Sequence, residues 1–145
     1  MTADAAATRE LAARLATEAR AGDVITLVGE LGAGKTVFAK GFGAGLGVPG
    51  TISSPSFILM AEYEGRLPLF HLDLYRLADA AEAIAGGLLD ERQAAGVTVI
   101  EWADRLRGLL PAARLEVIIE GTGDAPRTIT LRATGPRYRR YLEAA

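Results

Sequence analysis

The sequence predicts an α/β fold, namely a three-layer sandwich with a mixed, partly parallel central sheet and added β-hairpins. Two runs rich in β-branched residues, at 24–28 and 97–100, carry no charge, as expected of strands buried on both faces of a sheet. Segments whose apolar residues recur at helical spacing alternate with these runs. Two further pairs of apolar runs flank short turns, which is typical of hairpins and makes the predicted sheet mixed rather than purely parallel.

The first part of the chain is predicted to contain two helices around one strand. Leu11 and Leu15 lie four residues apart on one helical face, and the pair Gly22-Asp23 ends that helix. Three glycines weaken the second helix, because glycine has a low helix propensity. In chain order the predicted elements are a helix over 5–20, a strand over 24–28, a glycine-rich loop over 29–34, a helix over 35–46 and a loop over 47–55.

Hairpins dominate the remainder of the chain. A turn at 64–66 separates the two strands of the first hairpin, and a turn at 121–126 separates those of the second. Asp79, with Glu82 three residues later, forms a variant of the capping box and predicts the start of a short helix. The predicted strands are 57–63 and 67–72 in the first hairpin, 97–100 on its own, and 115–119 with 128–131 in the second hairpin.

Length and composition predict one globular domain over residues 1–145. Half of the residues are hydrophobic, and 16 basic against 18 acidic residues leave a net charge of -2, which lacks the basic character of a free-standing nucleic-acid binder. The absence of cysteine and the single histidine exclude thiolate and histidine-rich metal sites. No stretch has the character of a signal peptide or a membrane span, so we expect a cytosolic protein with no membrane contact.

The most specific signal in the chain is a phosphate-binding loop. The pattern G-x-x-x-x-G-K-[ST], between a predicted strand and a predicted helix as the motif requires, is matched by Gly29-Glu30-Leu31-Gly32-Ala33-Gly34-Lys35-Thr36. Glycines let the backbone N–H groups converge on an anion at the helix N-terminus. Lys35 would reach the β- and γ-phosphates, and the Thr36 hydroxyl would bind Mg²⁺. The predicted fold is therefore P-loop NTPase-like.

Hydrolysis also needs a carboxylate near the metal and a group that orients the attacking water, and the sequence offers two acids. Glu101 directly follows the strand at 97–100, so its carboxylate would arrive at the carboxyl edge of the sheet, where ligands bind in open α/β folds. Asp73 likewise ends an apolar run, at 69–72. Spacing alone does not decide which acid binds the metal and which handles the water.

Four other features have both a structural and a functional interpretation. We favour His71 as a hydrogen-bonded residue of a half-buried strand over a catalytic group, and Trp102 as a packing anchor over a base-stacking platform. The serine-rich loop at 53–56 is either a plain loop or a switch whose hydroxyls sense the γ-phosphate or the metal. The C-terminal arginines are expected to form a solvated helix end, although they could touch RNA or an acidic partner; they are Arg132, Arg137, Arg139 and Arg140.

Four segments together resemble one bacterial family. After the phosphate-binding loop come, in order, Ser54-Pro55-Ser56-Phe57, His71-Leu72-Asp73-Leu74-Tyr75-Arg76 and Ile100-Glu101-Trp102. In this order, and in a chain of this length, they closely resemble the tRNA threonylcarbamoyladenosine biosynthesis ATPases, E component (TsaE), over nearly the whole chain. Many families share the P-loop, whereas the His-x-Asp-x-Tyr-Arg run and the Glu-Trp pair are specific to this one. Ser56 stands where the family usually has threonine, and it keeps the hydroxyl.

The resemblance implies a small cytosolic ATPase whose cofactors are ATP and Mg²⁺. It would act with the tRNA threonylcarbamoyl transferase subunit and a companion subunit in modifying adenosine 37 of tRNA, so its contact with tRNA would be mainly indirect. By the same resemblance Asp73 would orient or activate the water, Thr36 and Glu101 would bind Mg²⁺, and the adenine would lie near residues 6–8 and 126–127. The phosphates would be bound by Leu31, Gly32, Ala33, Gly34, Lys35 and Thr36.

Three other functions share the phosphate-binding loop. A small-metabolite kinase needs lid and acceptor-binding insertions, for which 145 residues leave little room. A regulatory GTPase normally carries an Asn-Lys-x-Asp guanine reader, and this sequence contains no asparagine. A nucleotide-gated partner-binding switch, in which hydrolysis is incidental, stays open as an alternative.

Overall fold

A six-stranded mixed sheet forms the centre of the computed structural model, which describes residues 4–29, 34–49, 60–73, 94–102, 113–121 and 126–145. The strands are β1 (Val24–Gly29), β2 (Met60–Tyr63), β3 (Leu69–Asp73), β4 (Val97–Glu101), β5 (Leu115–Glu120) and β6 (Thr128–Ala133). The helices in these ranges are α1 (Ala5–Ala16), α2 (Lys35–Gly45) and α3 (Arg139–Ala144), and a 3-10 turn at Pro136–Tyr138 leads into α3.

Both hairpins and both central runs of the sequence prediction are present in the sheet. The strand order is β2-β3-β4-β1-β5-β6, in which β3, β4, β1 and β5 run parallel to one another. The two edge strands are antiparallel to their neighbours, because β2 pairs with β3 and β6 with β5 through the predicted hairpins. The interior strand β4 is buried at all five positions, which explains its uncharged run in the sequence. The sheet is therefore mixed, as predicted.

Helices α1 and α2 pack together and cover one face of the sheet. In α2 the rings of Phe38 and Phe42 stack with their centroids 6.4 Å apart, and both side chains are fully buried. One hydrophobic core joins the two helices to the central strands, and its fully buried members include Leu15, Phe38, Phe42, Leu27, Val99 and Val117. This packing fixes the start of α2 beside the carboxyl ends of β1 and β4.

Helix α1 begins where the sequence predicts but ends four residues early. Asp4 caps its start, since the carboxylate accepts the N–H of Ala7 at 2.9 Å. At the other end the Thr17 hydroxyl donates to the carbonyl of Arg14 at 2.7 Å, and the chain then turns so that the N–H of Arg20 reaches the Asp23 carboxylate at 3.0 Å. The prediction of a helix over 5–20 is wrong at its end, because these side chains form hydrogen bonds with backbone groups that would pair with each other in a longer helix.

Other boundaries differ only slightly from the prediction. Strand β4 includes Glu101 and β1 includes Gly29, one residue beyond each predicted run, and α2 ends at Gly45. Helix α3 lies where the C-terminal arginines were expected to form a helix end, although no bounds were predicted for it. The predicted helix start at Asp79 and the loop at 53–56 lie outside the described residues. Within the described ranges, no helix is both long enough and apolar enough to cross a lipid bilayer.

Candidate nucleotide site

The predicted strand, glycine-rich loop and helix occur in that order at the middle of the sheet. Strand β1 ends at Gly29 and α2 begins at Lys35, with Gly34 as the residue before the helix. Gly34 has φ +112°, a left-handed conformation that strongly favours glycine, although a Cβ there would meet no atom within 4 Å. Backbone conformation rather than space therefore requires glycine at this point. The loop residues Glu30, Leu31, Gly32 and Ala33 lie outside the described residues.

The Lys35 ammonium lies at the end of β1 and is almost completely buried, with 4% of the residue exposed. Its Nζ donates to the Gly29 carbonyl at 2.6 Å and lies 3.9 Å from the centroid of the Trp102 ring. The ring face is attractive to a cation that has lost its water. A phosphate that binds the Lys35 ammonium would therefore have to replace its contacts with the Gly29 carbonyl and the Trp102 ring.

Thr36 and Glu101 meet across the start of α2 and the end of β4. The Thr36 hydroxyl donates to Glu101 Oε1 at 2.9 Å, and Glu101 is 2% exposed. Hydroxyl and carboxylate oxygens are the hard ligands that Mg²⁺ prefers. The described residues contain no group of three acidic, histidine or cysteine side chains placed to hold a metal by themselves. A pair of oxygen donors beside a phosphate loop fits Mg²⁺, which usually takes one or two carboxylates together with phosphates and water.

His71 contacts the same carboxylate from the neighbouring strand β3. Its Nε2 lies 2.6 Å from Glu101 Oε2, and the side chain is completely buried. The hydrogen-bonded histidine of the sequence prediction is therefore confirmed, but its place in a half-buried strand is wrong. The reason is the strand order, because β3 lies inside the sheet between β2 and β4.

The backbone of Asp73 reaches the same edge of the sheet as Glu101. Strands β3 and β4 are parallel, and their register pairs Asp73 with Glu101 directly. This pairing explains why the sequence alone presented the two acids as equivalent, since both end an apolar strand at the same level. The role of the Asp73 side chain stays a prediction.

Trp102 contacts Lys35, which the sequence analysis did not predict. It is the only non-glycine residue with positive φ in the described part of the chain, at +59°. Its N–H donates to the Leu27 carbonyl at 3.1 Å, directly after the last paired residue of β4, and its indole lies against Lys35. The one available signal was its place directly after Glu101, at the end of a strand that points to the phosphate loop.

Two of the C-terminal arginines, Arg137 and Arg140, lie at the opposite end of β1 and bind within the chain. Asp23 is completely buried just before β1. Its carboxylate accepts a hydrogen bond from Arg137 Nε at 2.7 Å and further hydrogen bonds from Arg140 and from the Tyr141 hydroxyl. The expected solvated helix end is therefore wrong for Arg140, whose side chain is only 13% exposed. The physical reason is that a buried carboxylate needs donors on each oxygen. Arg132 and Arg139 are exposed, as expected.

Comparison with known proteins identifies the family. The model of the family "Threonylcarbamoyl adenosine biosynthesis protein TsaE" matches residues 2–129. The chain belongs to the TsaE family. Its curated relatives in that family carry the name tRNA threonylcarbamoyladenosine biosynthesis protein TsaE; the one from Bacillus subtilis is 44% identical over 94% of this chain and 85% of its own length. The relative from Streptomyces coelicolor is 37% identical and covers 90% of this chain and 93% of its own.

A solved member of the family has the same fold. The crystal structure of Bacillus subtilis YdiB superposes with a TM-score of 0.78 at 40% identity, over 98% of this chain and 88% of that one. The predicted fold class, an α/β P-loop NTPase-like fold with a mixed sheet, is therefore confirmed, as is the resemblance drawn from the four sequence segments. Residues 6–8, in the first turns of α1, and residues 126–127, before β6, stay the predicted surroundings of the adenine.

Proposed function

We propose that this protein binds ATP with Mg²⁺ and hydrolyses it slowly in support of tRNA N6-threonylcarbamoyladenosine synthesis. Membership of the TsaE family supports the pathway, since the relatives are named for that biosynthesis. The observation that carries the ATPase proposal is the hydrogen bond from Thr36 to Glu101, which unites the helix after the phosphate loop with the acid at the end of β4. That is the arrangement in which P-loop NTPases bind a metal–nucleotide complex.

Each described side chain of the site has a definite part in this proposal. Lys35 would exchange the Gly29 carbonyl and the Trp102 ring for phosphate oxygens, and Gly34 would approach the phosphates closely because it has no side chain. Thr36 and Glu101 would hold Mg²⁺, which when bound neutralises charge that develops on the phosphate oxygens. Asp73, at the level of Glu101 on the next strand, would orient the attacking water and accept its proton.

The proposal includes partners, which the resemblance to the TsaE family implies. We place the threonylcarbamoyl transferase chemistry on a transferase subunit and its companion subunit, with which this protein would act in the cytoplasm. Contact with tRNA would be mainly through those subunits. The arginines Arg137 and Arg140 are consistent with this division, since both bind Asp23 and are thus used within the fold.

The deciding experiment compares ATP hydrolysis by the purified protein alone and with the two transferase subunits. Slow turnover alone and faster turnover in the complex are expected; equal rates would contradict the coupled ATPase. In cells, depletion of the protein should lower the threonylcarbamoyladenosine content of bulk tRNA. An unchanged content would contradict the proposed pathway role.

One observation favours a second candidate, the nucleotide-gated switch. Lys35 is tied to Gly29 and Trp102, so phosphate binding would also break the contact between Lys35 in α2 and Trp102, the residue after β4. In a switch, a non-hydrolysable ATP analogue suffices to drive partner association and modification. In the coupled ATPase, the analogue supports association but not repeated modification cycles. Multiple-turnover assays with the analogue distinguish the two.

A further inference from the structure

We infer that His71 is a positioning residue for Glu101: its imidazole holds the Glu101 carboxylate in the orientation that faces Thr36. The inference rests on the proposed function, because the orientation of Glu101 matters only if the site binds a metal–nucleotide complex. His71 itself is not placed as a metal ligand or as a proton carrier.

The two oxygens of Glu101 have different partners on different elements. Oε1 accepts the Thr36 hydroxyl of α2 at 2.9 Å, and Oε2 lies 2.6 Å from His71 Nε2 on β3. We assign the hydrogen to Nε2, since an imidazole that donates from Nε2 is the partner that a carboxylate acceptor requires. The terminal torsion of a glutamate is otherwise broad. With one oxygen bound to His71, rotation about that torsion would break both hydrogen bonds.

The burial of His71 indicates that its ring serves this contact. The side chain is completely inaccessible to water, and Nδ1 has no hydrogen-bond partner among the residues described. A buried polar atom without a partner destabilises the folded state, a cost that an aliphatic residue at this position of β3 would avoid. The Nε2 bond to Glu101 is the one hydrogen bond that the ring makes within the described ranges.

Two substitutions separate the proposed role from general packing. In His71→Gln the side-chain amide extends about as far as Nε2, so it can still donate to Oε2; in His71→Asn the amide is one bond shorter and cannot reach. The measurement is calorimetric titration of ADP in excess EDTA and in a series of Mg²⁺ concentrations, with folding of each variant checked by circular dichroism. For His71→Asn we expect ADP affinity in EDTA within twofold of wild type and an apparent Mg²⁺ affinity at least tenfold weaker, as for other residues that orient metal ligands. His71→Gln should remain within threefold of wild type in both.

The unmodified protein offers a second test that does not depend on a folded variant. His71 is the only histidine in the chain, so in protein freed of any histidine tag the imidazole nitrogens give one assignable set of NMR signals. We expect the tautomer protonated at Nε2, and a change in the Nε2 signal when Mg²⁺ is added to the ADP complex. A proton on Nδ1 with a bare Nε2 would overturn the inference.

The outcomes distinguish this inference from the proposed function. Wild-type protein that binds ADP with Mg²⁺ together with a His71→Asn variant of unchanged Mg²⁺ dependence overturns the role of His71 and leaves the proposed function intact. Equal weakening of ADP binding with and without Mg²⁺ shows a packing role and also overturns it. A wild type that binds no nucleotide in either condition refutes the proposed function, and the inference with it.

Discussion

Two buried carboxylates, Glu101 and Asp23, lie at opposite ends of the central strands and form hydrogen bonds with different kinds of side chain. Glu101 at the carboxyl end of β4 binds Thr36 and His71, whereas Asp23 before β1 binds arginine and tyrosine side chains of the C-terminal segment. Burial of an ionised carboxylate is tolerated only when its oxygens are paired. The same chemistry thus builds a candidate metal site at one end of the sheet and a structural cluster at the other.

At the residue scale, a substitution of Lys35 should affect ATP binding, and a substitution of Asp73 should affect turnover. Lys35→Ala removes the cation for the β- and γ-phosphates and should abolish measurable ATP binding, whereas Asp73→Ala should retain binding within about threefold and lose at least 100-fold in kcat. Calorimetric titration and a phosphate-release assay measure the two effects. Lys40→Ala, the same charge change later in α2, is the matched control. Unchanged turnover in Asp73→Ala would move the catalytic acid elsewhere.

Tyr141 predicts how stability responds to alkaline pH. Its hydroxyl donates to Asp23, and burial followed by this contact raises the pKa of Tyr141 well above its usual value of 10.0; burial also raises the pKa of Tyr138. Below about pH 10 the phenol is protonated in both states, and above it only the unfolded chain loses the proton, so the free energy of unfolding should fall as pH rises.

Urea denaturation of the wild type and Tyr141→Phe between pH 8 and 11 measures this effect. The variant should be less stable at pH 8 by about 1.5–3 kcal/mol, the value of a hydrogen bond to a charged group. Its stability should also decline less steeply above pH 10. Parallel declines in the two proteins would show that Tyr141 does not contribute to the alkaline loss.

At the element scale, close packing of α1 against α2 explains two of the three glycines in α2. A Cβ on Gly41 would lie 2.5 Å from the Arg9 carbonyl oxygen, and one on Gly45 would lie 2.6 Å from the Ala13 carbonyl oxygen. Both clashes are with backbone, which cannot move aside as a side chain can. Gly41 and Gly45 weaken the predicted helix, but they are also the residues that let it approach α1.

Gly41→Ala should accordingly destabilise the protein although alanine is the better helix former. Alanine gains about 1 kcal/mol in helix propensity, but overpacking against the α1 backbone, at the upper end of about 1–3 kcal/mol, should outweigh it and leave a net loss of about 1–2 kcal/mol. The measurement is the urea midpoint at fixed slope. Ala44→Ser, on the exposed side of the same helix, should change stability by no more than about 0.5 kcal/mol. A Gly41→Ala protein as stable as wild type would contradict the packing argument.

At the scale of the whole molecule, side chains of the C-terminal segment contact residues just before and at the start of β1. Asp23 joins the turn after α1 to Arg137, Arg140 and Tyr141, while the Tyr138 hydroxyl accepts the N–H of Val24 at 2.9 Å. The C-terminal segment is thereby attached to the amino end of the central strand. Strand β1 then runs six residues, about 20 Å, to the phosphate loop.

Asp23→Asn should therefore lower stability without altering the nucleotide site. Loss of the charge leaves Arg140 largely buried without its anion, and the removal of one partner of a buried pair costs about 3 kcal/mol. Nucleotide affinity, measured below the unfolding transition, should stay within twofold of wild type. Arg132→Ala is the control, since Arg132 is 58% exposed and lies 3.6 Å from Glu116; it should cost less than about 1 kcal/mol. A matching loss of nucleotide affinity in Asp23→Asn would show that the two ends of β1 are coupled.

The sequence by itself determined the strand–loop–helix unit, both hairpins and the family, because apolar runs, turn residues and the glycine motif act over a few neighbouring residues. It also placed Glu101 and Asp73 at strand ends, but it did not decide which acid binds the metal and which handles the water. Only the tertiary structure decided that Glu101 meets His71 and Thr36, which lie 30 and 65 residues away along the chain, and that Arg137 meets Asp23, 114 residues away. Such pairs depend on strand order and register, which place β3 beside β4 and β4 beside β1, and no local pattern specifies them.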